Sequence, residues 1–343
     1  MMTDATEQLT AAVVKACESD SPLWVRGGNS KAFYGNPCPV NCHELDTSCH
    51  SGIINYVPEE LMMHVRAGTP LAEINAVVAA EGQMLGFEPP DFGGAATIGG
   101  VVAAGLSGPR RPYAGAVRDY VLGVTLLTGN GTVLAFGGQV MKNVAGYDVS
   151  RLMVGALGTL GVILDVSFKV LPCPAPEQTL CLPSDEFHRQ AEGLSLAVLG
   201  LSATASLGSN TYVRVREDSG LQGDVVSNTF WDQIANHQLP ELQQGEALWR
   251  ISVPVSSEQF EDAAATEWGG ALRWVIDPEG HPHKVLQAGH ATLFRTSIDI
   301  EQERFHPLDP VLSRIHDNLK THFDPHGIFN PNRLTWHANQ NTS

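Results

Sequence analysis

Glycine and other small residues dominate the stretch from Asp91 to Asp119, DFGGAATIGGVVAAGLSGPRRPYAGAVRD, which holds Gly93, Gly94, Gly99, Gly100, Gly105, Gly108 and Gly115. Such a run builds no core of its own. Glycine lacks a Cβ and tolerates positive φ, so backbone of this kind can approach another group closely. Exposed N–H groups in such turns form concave anion sites. One reading is a cradle for a phosphate-bearing cofactor; the other is a Gly/Ala-rich helix entry packed tightly on a sheet. Two further Gly-rich segments bear on the choice. Arg26-Gly27-Gly28-Asn29-Ser30-Lys31 follows the strand-like Leu23-Trp24-Val25, and Gly155 to Gly161 has the form G-x-x-G-x-x-G. The first lacks the G-x-x-x-x-G-K-[ST] spacing of a P-loop. The G-x-G-x-x-G of a Rossmann unit, with its acidic residue about twenty positions on, does not occur in the first hundred residues. Several loops cradling one long cofactor fit better than a single helix N-terminus.

Other chemistry-bearing residues carry weaker signals. Cys38, Cys42 and Cys49 are three and six intervening residues apart. Iron–sulfur runs favour tighter spacing and a fourth cysteine, so these read as free thiols near the surface. His281, His283 and His290 form the close histidine cluster, but no carboxylates that would complete a metal site accompany them. No metal is expected. Arg110 and Arg111 read as a solvated basic pair or as a surface for a partner or phosphate.

The elements that must position these loops follow from pattern. The chain has 343 residues, 43% apolar, with a formal net charge of −16. The length suggests about two domains, and the acidity argues against a nucleic-acid face and against docking on anionic lipid. The start, MMTDATEQLT, does not read as a secretory signal. The longest apolar run, Leu152 to Leu164, is too short to span a bilayer. A reduced, cytoplasmic chain is the expectation, with peripheral membrane association only through partners.

Helical spacing covers residues 4–18, with Leu9, Val13, Val14 and Cys17 on one side. Ile53–Tyr56 and Met62–Val65 read as strands. Thr69 as N-cap and Pro70 at the first helical position open a helix carrying Leu71, Ile74, Val77 and Val78, and Gly82 ends it. Val121–Leu127 and Thr132–Phe136 form a hairpin. Asp148–Met153 is a short helix and Val162–Leu171 a strand, before Pro172, Pro174 and Pro176 break the chain. Beyond them strands are expected at Tyr212–Val215, Leu248–Val253, Leu272–Ile276 and Ala291–Thr296. Helices are expected near Glu186–Leu194, Thr229–Asn236 and Ser257–Thr266, giving an α+β insert with an antiparallel sheet. From Pro310 a helix carries Val311, Ile315, Leu319 and Phe323.

In order, the motifs RGGNSK (26–31), TIGGVVAAGLSG (97–108), YAGAVRDYVLG (113–123), GYDVSRLMVGALGTLGVILDVSFKVLP (146–172) and FDPHGIFNP (323–331) resemble the PCMH-type FAD-binding flavoproteins. This is the superfamily of vanillyl-alcohol oxidase and p-cresol methylhydroxylase. GNSKAF (28–33), GQMLGFEPPDFG (82–93), LSGPRRPYAGAVRDYVLG (106–123), FGGQVMKNVAGYDVSRLMVGALGTLGV (136–162), WGGALRW (268–274) and AGHATLF (288–294) narrow the resemblance. They are similar to the FAD-binding, GlcE-type subunits of bacterial glycolate oxidase.

The resemblance implies an α+β fold. A two-subdomain FAD-binding domain at 1–175 would be followed by a smaller α+β cap at 176–309, a C-terminal segment at 310–335 returning to the FAD domain, and a loose tail at 336–343. It implies that Gly27, Gly28, Asn29 and Ser30 wrap the FAD pyrophosphate. Ser30 stands where covalent members carry histidine, so the flavin would be noncovalent. Gly93 to Gly100, with Gly94, Thr97, Ile98 and Gly99 among them, would line the pyrophosphate and isoalloxazine. Gly161, Val162 and Ile163 would offer backbone contacts, and Asn330 would lie near the flavin ring. Asp119 and Asp148 would be structural.

Full-length 2-hydroxy-acid dehydrogenases of the superfamily carry a histidine-rich stretch that binds metal and abstracts a proton, and no such stretch is present here. No catalytic residue can be named: neither the base for the hydroxyl nor the cation for the carboxylate. The resemblance therefore implies a subunit of a complex that oxidises glycolate to glyoxylate with a non-nicotinamide acceptor. Its partners would be a longer FAD-binding catalytic subunit and an iron–sulfur subunit, and its own role electron transfer or assembly. A self-sufficient FAD-dependent 2-hydroxy-acid dehydrogenase and a non-redox scaffold are the alternatives.

Overall fold

A computed structural model describes residues 2–138, 148–193, 196–257, 263–277, 286–298 and 304–334. Helix α1 (Thr6–Glu18) buries Leu9, Val13 and Ala16 at 3.6-residue spacing, while Val14 turns outward. Strand β1 (Leu23–Arg26) lies parallel to β2 (His43–Asp46). Strands β3 (Ile53–Val57) and β4 (Met62–Arg66) are antiparallel neighbours. Helix α2 (Leu71–Ala80) starts one residue later than expected, because Thr69 is wholly buried and spends its hydroxyl on Arg66 O and Gly52. The short β5 (Gln83–Met84) follows, then α3 (Ile98–Ala104), which Thr97 caps by accepting the Gly100 N–H.

Strands β6 (Val121–Leu127) and β7 (Val133–Gly137) form the expected hairpin. Strand β8 (Val162–Lys169) pairs with both β4 and β6, closing a five-stranded sheet of order β3-β4-β8-β6-β7. Strand β9 (Leu171–Pro172) pairs with β5. The core of this half joins α2 and α3 to the sheet through Ile74, Val78, Ile98, Val101, Val124 and Val166.

The remaining strands are β10 (Glu177–Pro183), β11 (Ala203–Leu207), β12 (Asn210–Arg216), β13 (Asp224–Val226), β14 (Ala247–Ser252), β15 (Ala263–Glu267), β16 (Leu272–Ile276) and β17 (His290–Thr296). They make one eight-stranded antiparallel sheet of order β13-β10-β12-β11-β15-β16-β14-β17. Mixed helices and sheets give the expected α+β class. One expectation is corrected here. The helix read over Ser257–Thr266 is not what forms at its C-terminal end: Ala263–Glu267 is a strand, held between β11 and β16. Pairing on both edges outweighs the helical preference of three consecutive alanines.

The C-terminal helix Pro310–Phe323 buries Phe323 in the first core, while Val311 and Ile315 stay 57% and 46% exposed. Beyond it the chain runs alongside β1. Leu23 N–H donates to Ile328 O, and Asn330 N–H donates to Leu23 O. The tail from residue 335 lies outside the described residues.

The two sheets meet through a shared aromatic cluster that includes Tyr34, Leu106, Phe230, Trp268, Trp274 and Phe294. A buried ion-pair network reinforces the junction. Arg110, read as solvated or partner-facing, is 8% exposed and bonds Glu88 and Glu177 at 3.0 and 2.6 Å. Arg214 of β12 joins Glu88 from the second sheet at 2.8 Å.

Candidate functional site

The loop after β1 turns on Asn29, whose φ of +59° lies in the left-handed region. Alternating right- and left-handed residues aim successive N–H groups into one concavity. Among the described residues, the N–H groups of Gly28, Asn29, Ser30 and Lys31 meet no protein acceptor. The loop packs so closely on the next segment that a Cβ on Gly28 would overlap Ala95 O, and one on Gly27 the Thr97 hydroxyl.

A cleft opens beside this loop, about 790 Å³ counting the solvent space at its mouth. Gly27, Gly28, Asn29, Ser30, Thr97, Gly99, Gly100, Gly161, Ile163 and Asn330 all line it. Helix α3 presents its smallest face there: Gly99, Gly100, Ala103 and Ala104. A Cβ on Gly100 would meet only the Thr97 hydroxyl at 3.4 Å, so the free space begins at that position. Gly99 differs. Its N–H bonds Ala67 O, and its Cβ would come within 2.6 Å of the Ala67 methyl. That glycine serves helix–sheet packing at least as much as the cleft.

Four expected residues are not on the cleft lining. Ile98 and Val162 point into the two cores, because their neighbours Gly99 and Gly161 take the cleft-facing positions of helix and strand. Gly93 and Gly94 sit on an exposed turn at φ of +107° and +84°. That turn is anchored where Asn236 Oδ1 accepts the N–H groups of Asp91 and Phe92.

Asn330 is a strut. Its Oδ1 accepts the Val25 N–H at 2.6 Å, and its Nδ2 donates to Leu157 O at 2.6 Å. Asp119 accepts the Ala116 N–H, and Asp148 caps its own turn and pairs with Arg151.

Three cations reach the cleft. Lys31 loses water on burial and its amine is pushed down to about 8, with Asp91 opposing the shift. Arg333, also lowered by burial, to about 10, holds the loop by donating to Asn36 O and Ala32 O. Arg26 pairs with Glu44 at 2.9 Å and keeps a buried Nε without partner. Lys31 belongs to the Gly-rich turn with Ser30 read as a phosphate cradle; Arg333 lies two residues beyond FDPHGIFNP, where it stacks on Trp24 and no sequence signal marks it.

The donor set fits FAD. Unpaired N–H groups and cations suit a pyrophosphate, and a Gly/Ala wall suits a flat ring system. Among the described residues, no histidine, cysteine or tyrosine lines the cleft. Of the histidine cluster, His281 and His283 lie outside the described residues, and His290 begins β17. Among the described residues no three His, Cys, Asp or Glu side chains form a group that could hold a metal. No described helix is long and apolar enough to cross a membrane.

The chain is similar to known proteins. Residues 2–137 match the FAD binding domain family. The chain is 41% identical to glycolate oxidase subunit GlcE of Escherichia coli (strain K12), over 96% of this chain and 97% of that one. It is 30% identical to glycolate oxidase subunit GlcD of Bacillus subtilis (strain 168), over 55% of this chain and 40% of that protein. In fold it is similar to an alkyldihydroxyacetonephosphate synthase, with a TM-score of 0.64 and 12% identity, covering 96% of this chain and 76% of the other.

Proposed function

The chain belongs to the GlcE family of glycolate oxidase subunits, and from that premise we propose that it holds FAD noncovalently in the cleft beside Gly27–Lys31. It does so as one subunit of an assembly that oxidises glycolate to glyoxylate. The observation that carries the reading is the 41% identity along nearly the full length of both chains. The unpaired N–H groups at Gly28–Lys31 and the vacant volume above Gly100 support the placement. Among the described residues, the lining carries no histidine, cysteine or tyrosine that could take a covalent flavin, and Ser30 stands in the first loop, which supports noncovalent attachment.

Bound FAD would supply a two-electron acceptor, and the chain's role is electron transfer within the assembly or support of it. The chain's own residues bind and orient. The Gly28–Lys31 N–H groups would hold phosphate oxygens, Lys31 would balance their charge, and the Gly100–Ala103 wall would set how closely the ring can approach. The partners are a longer FAD-binding subunit of the GlcD type and an iron–sulfur subunit, and any membrane association is peripheral, through them.

The test is to purify the chain alone and with its partners, then measure bound FAD and glycolate-dependent reduction of an artificial electron acceptor. The expected result is FAD in both and steady turnover in the assembly only. Full turnover by the lone chain would instead support a self-sufficient dehydrogenase. A flavin-free chain in both preparations would indicate a scaffold.

A further inference from the structure

A second cavity adjoins the cofactor cleft. Lys31 Nζ, on the cleft wall, stands 5.6 Å over the Phe92 ring, and Phe92 is itself a wall of this second space. Leu106, His237, Arg250, Glu267 and Trp274 also line it. The space between its side chains is about 320 Å³ counting the open solvent at its mouth.

Arg250 is the unusual group. It sits mid-strand on β14, in register with Trp274 of β16 and Thr292 of β17. The other well-packed arginines each end on an oxygen. Arg110 and Arg214 meet carboxylates, Arg273 and Arg295 meet backbone carbonyls, and Arg304 and Arg333 do the same. Among the described residues Arg250 has no such acceptor; its guanidinium lies 5.2 Å from the Trp268 ring centroid. Arg111 stacks on the same ring at 4.4 Å. Glu267 shares the cavity; its Oε1 accepts the Trp274 indole N–H at 2.7 Å, and it acts on Arg250 through its charge, not through a hydrogen bond. Burial drives Arg250 and the nearby His290 toward their neutral forms, and each cation adds to the effect on the histidine.

Guanidinium donors that meet no protein acceptor are free to take the oxygens of a ligand. A fork of N–H donors facing a confined space matches one carboxylate, bidentately. Phe92, Trp274 and Phe294 wall the space.

We propose that this cavity binds a small carboxylate, with Arg250 as the residue that receives it. The choice of acid rests on the reading above: an assembly that consumes glycolate would present a two-carbon hydroxy acid. The chain then carries a carboxylate subsite of its own beside the cofactor cleft.

The experiment titrates the FAD-loaded full chain with glycolate, following tryptophan fluorescence and heat, and repeats it with glycolamide, the neutral isostere. Saturable binding of glycolate and none of glycolamide is expected. Arg250→Met is expected to weaken glycolate at least tenfold with the flavin-to-protein ratio unchanged, and Arg250→Lys to fall between. Equal affinity for glycolate and glycolamide, or wild-type affinity in Arg250→Met, overturns the proposal. A chain that carries FAD and does not bind glycolate overturns it and leaves the cofactor reading standing. A chain that binds glycolate without FAD does the reverse.

Discussion

Gly100 and Gly99 are adjacent, yet they answer to different constraints. A side chain at Gly100 enters the cleft and meets almost nothing. A side chain at Gly99 runs into Ala67. Gly100→Val is therefore expected to lower FAD affinity at least tenfold with melting temperature nearly unchanged. Gly99→Val is expected to destabilise by about 1–3 kcal/mol through overpacking. Flavin content and thermal melts of the two variants separate the effects; equal FAD binding by Gly100→Val and wild type would place the cofactor elsewhere. Lys31 gives a pH signature. Its folded-state amine is lowered to about 8, below the usual lysine value of 10.5. Below pH 8 both folded and unfolded states are charged, and the folded one bears the whole desolvation penalty. Between about 8 and 10.5 the unfolded state holds the extra proton, so rising pH favours folding. Lys31→Met is expected to stabilise the flavin-free chain by up to about 3 kcal/mol at pH 7, a gain that disappears above about pH 10.5. Melts across pH check this, and a constant difference would refute the assignment.

The elements that hold these residues were legible where their own pattern carried the burial. Strand β8 alternates over a core on both sides, and the β6–β7 hairpin is punctuated by Gly129-Asn130-Gly131. Glycine loops were legible for a similar reason: their function lies in backbone, which glycine announces. The sheet of the second half was harder. Strands β11 (ATASL) and β15 (AAATE) hold small residues whose burial comes from strands far along the chain. Which neighbour in a Gly-rich run faces the cleft was likewise hidden in Ile98 and Val162, since helical and strand periodicity sends alternate residues inward. Arg250 gave no local signal, because what sets it apart is a missing partner. Asn330 illustrates the opposite case, a residue visible in sequence whose role the contacts redefine. It joins β1, the Leu157 turn and the C-terminal segment. Asn330→Ala leaves the Val25 N–H and Leu157 C=O unsatisfied and is expected to destabilise by about 2–4 kcal/mol. Urea unfolding measures it; a change under about 0.5 kcal/mol would mean that water replaces both bonds.

At the scale of the molecule, two sheets share one interface, and the Glu88–Arg110–Glu177–Arg214 network crosses it. Removing one partner of a buried set strands the others, so Arg110→Met is expected to destabilise by about 3–5 kcal/mol. None of these four residues lines the cofactor cleft, so flavin content at low temperature is expected to hold. Loss of FAD without loss of stability would show that the network positions the cleft. With a net charge of −16 and the exposed apolar side chains Val311, Leu312 and Ile315 on its last long helix, the chain has a surface unlike its cofactor site. The central claim is that the cleft beside Gly27–Lys31 holds FAD without a covalent bond. It is tested most directly by reconstituting the lone chain with FAD, removing excess, and precipitating the protein with acid. The expected result is about one flavin per chain, all of it in the supernatant, and a much lower ratio in Gly100→Val. Flavin retained in the precipitate, or no flavin bound before acid, would contradict it.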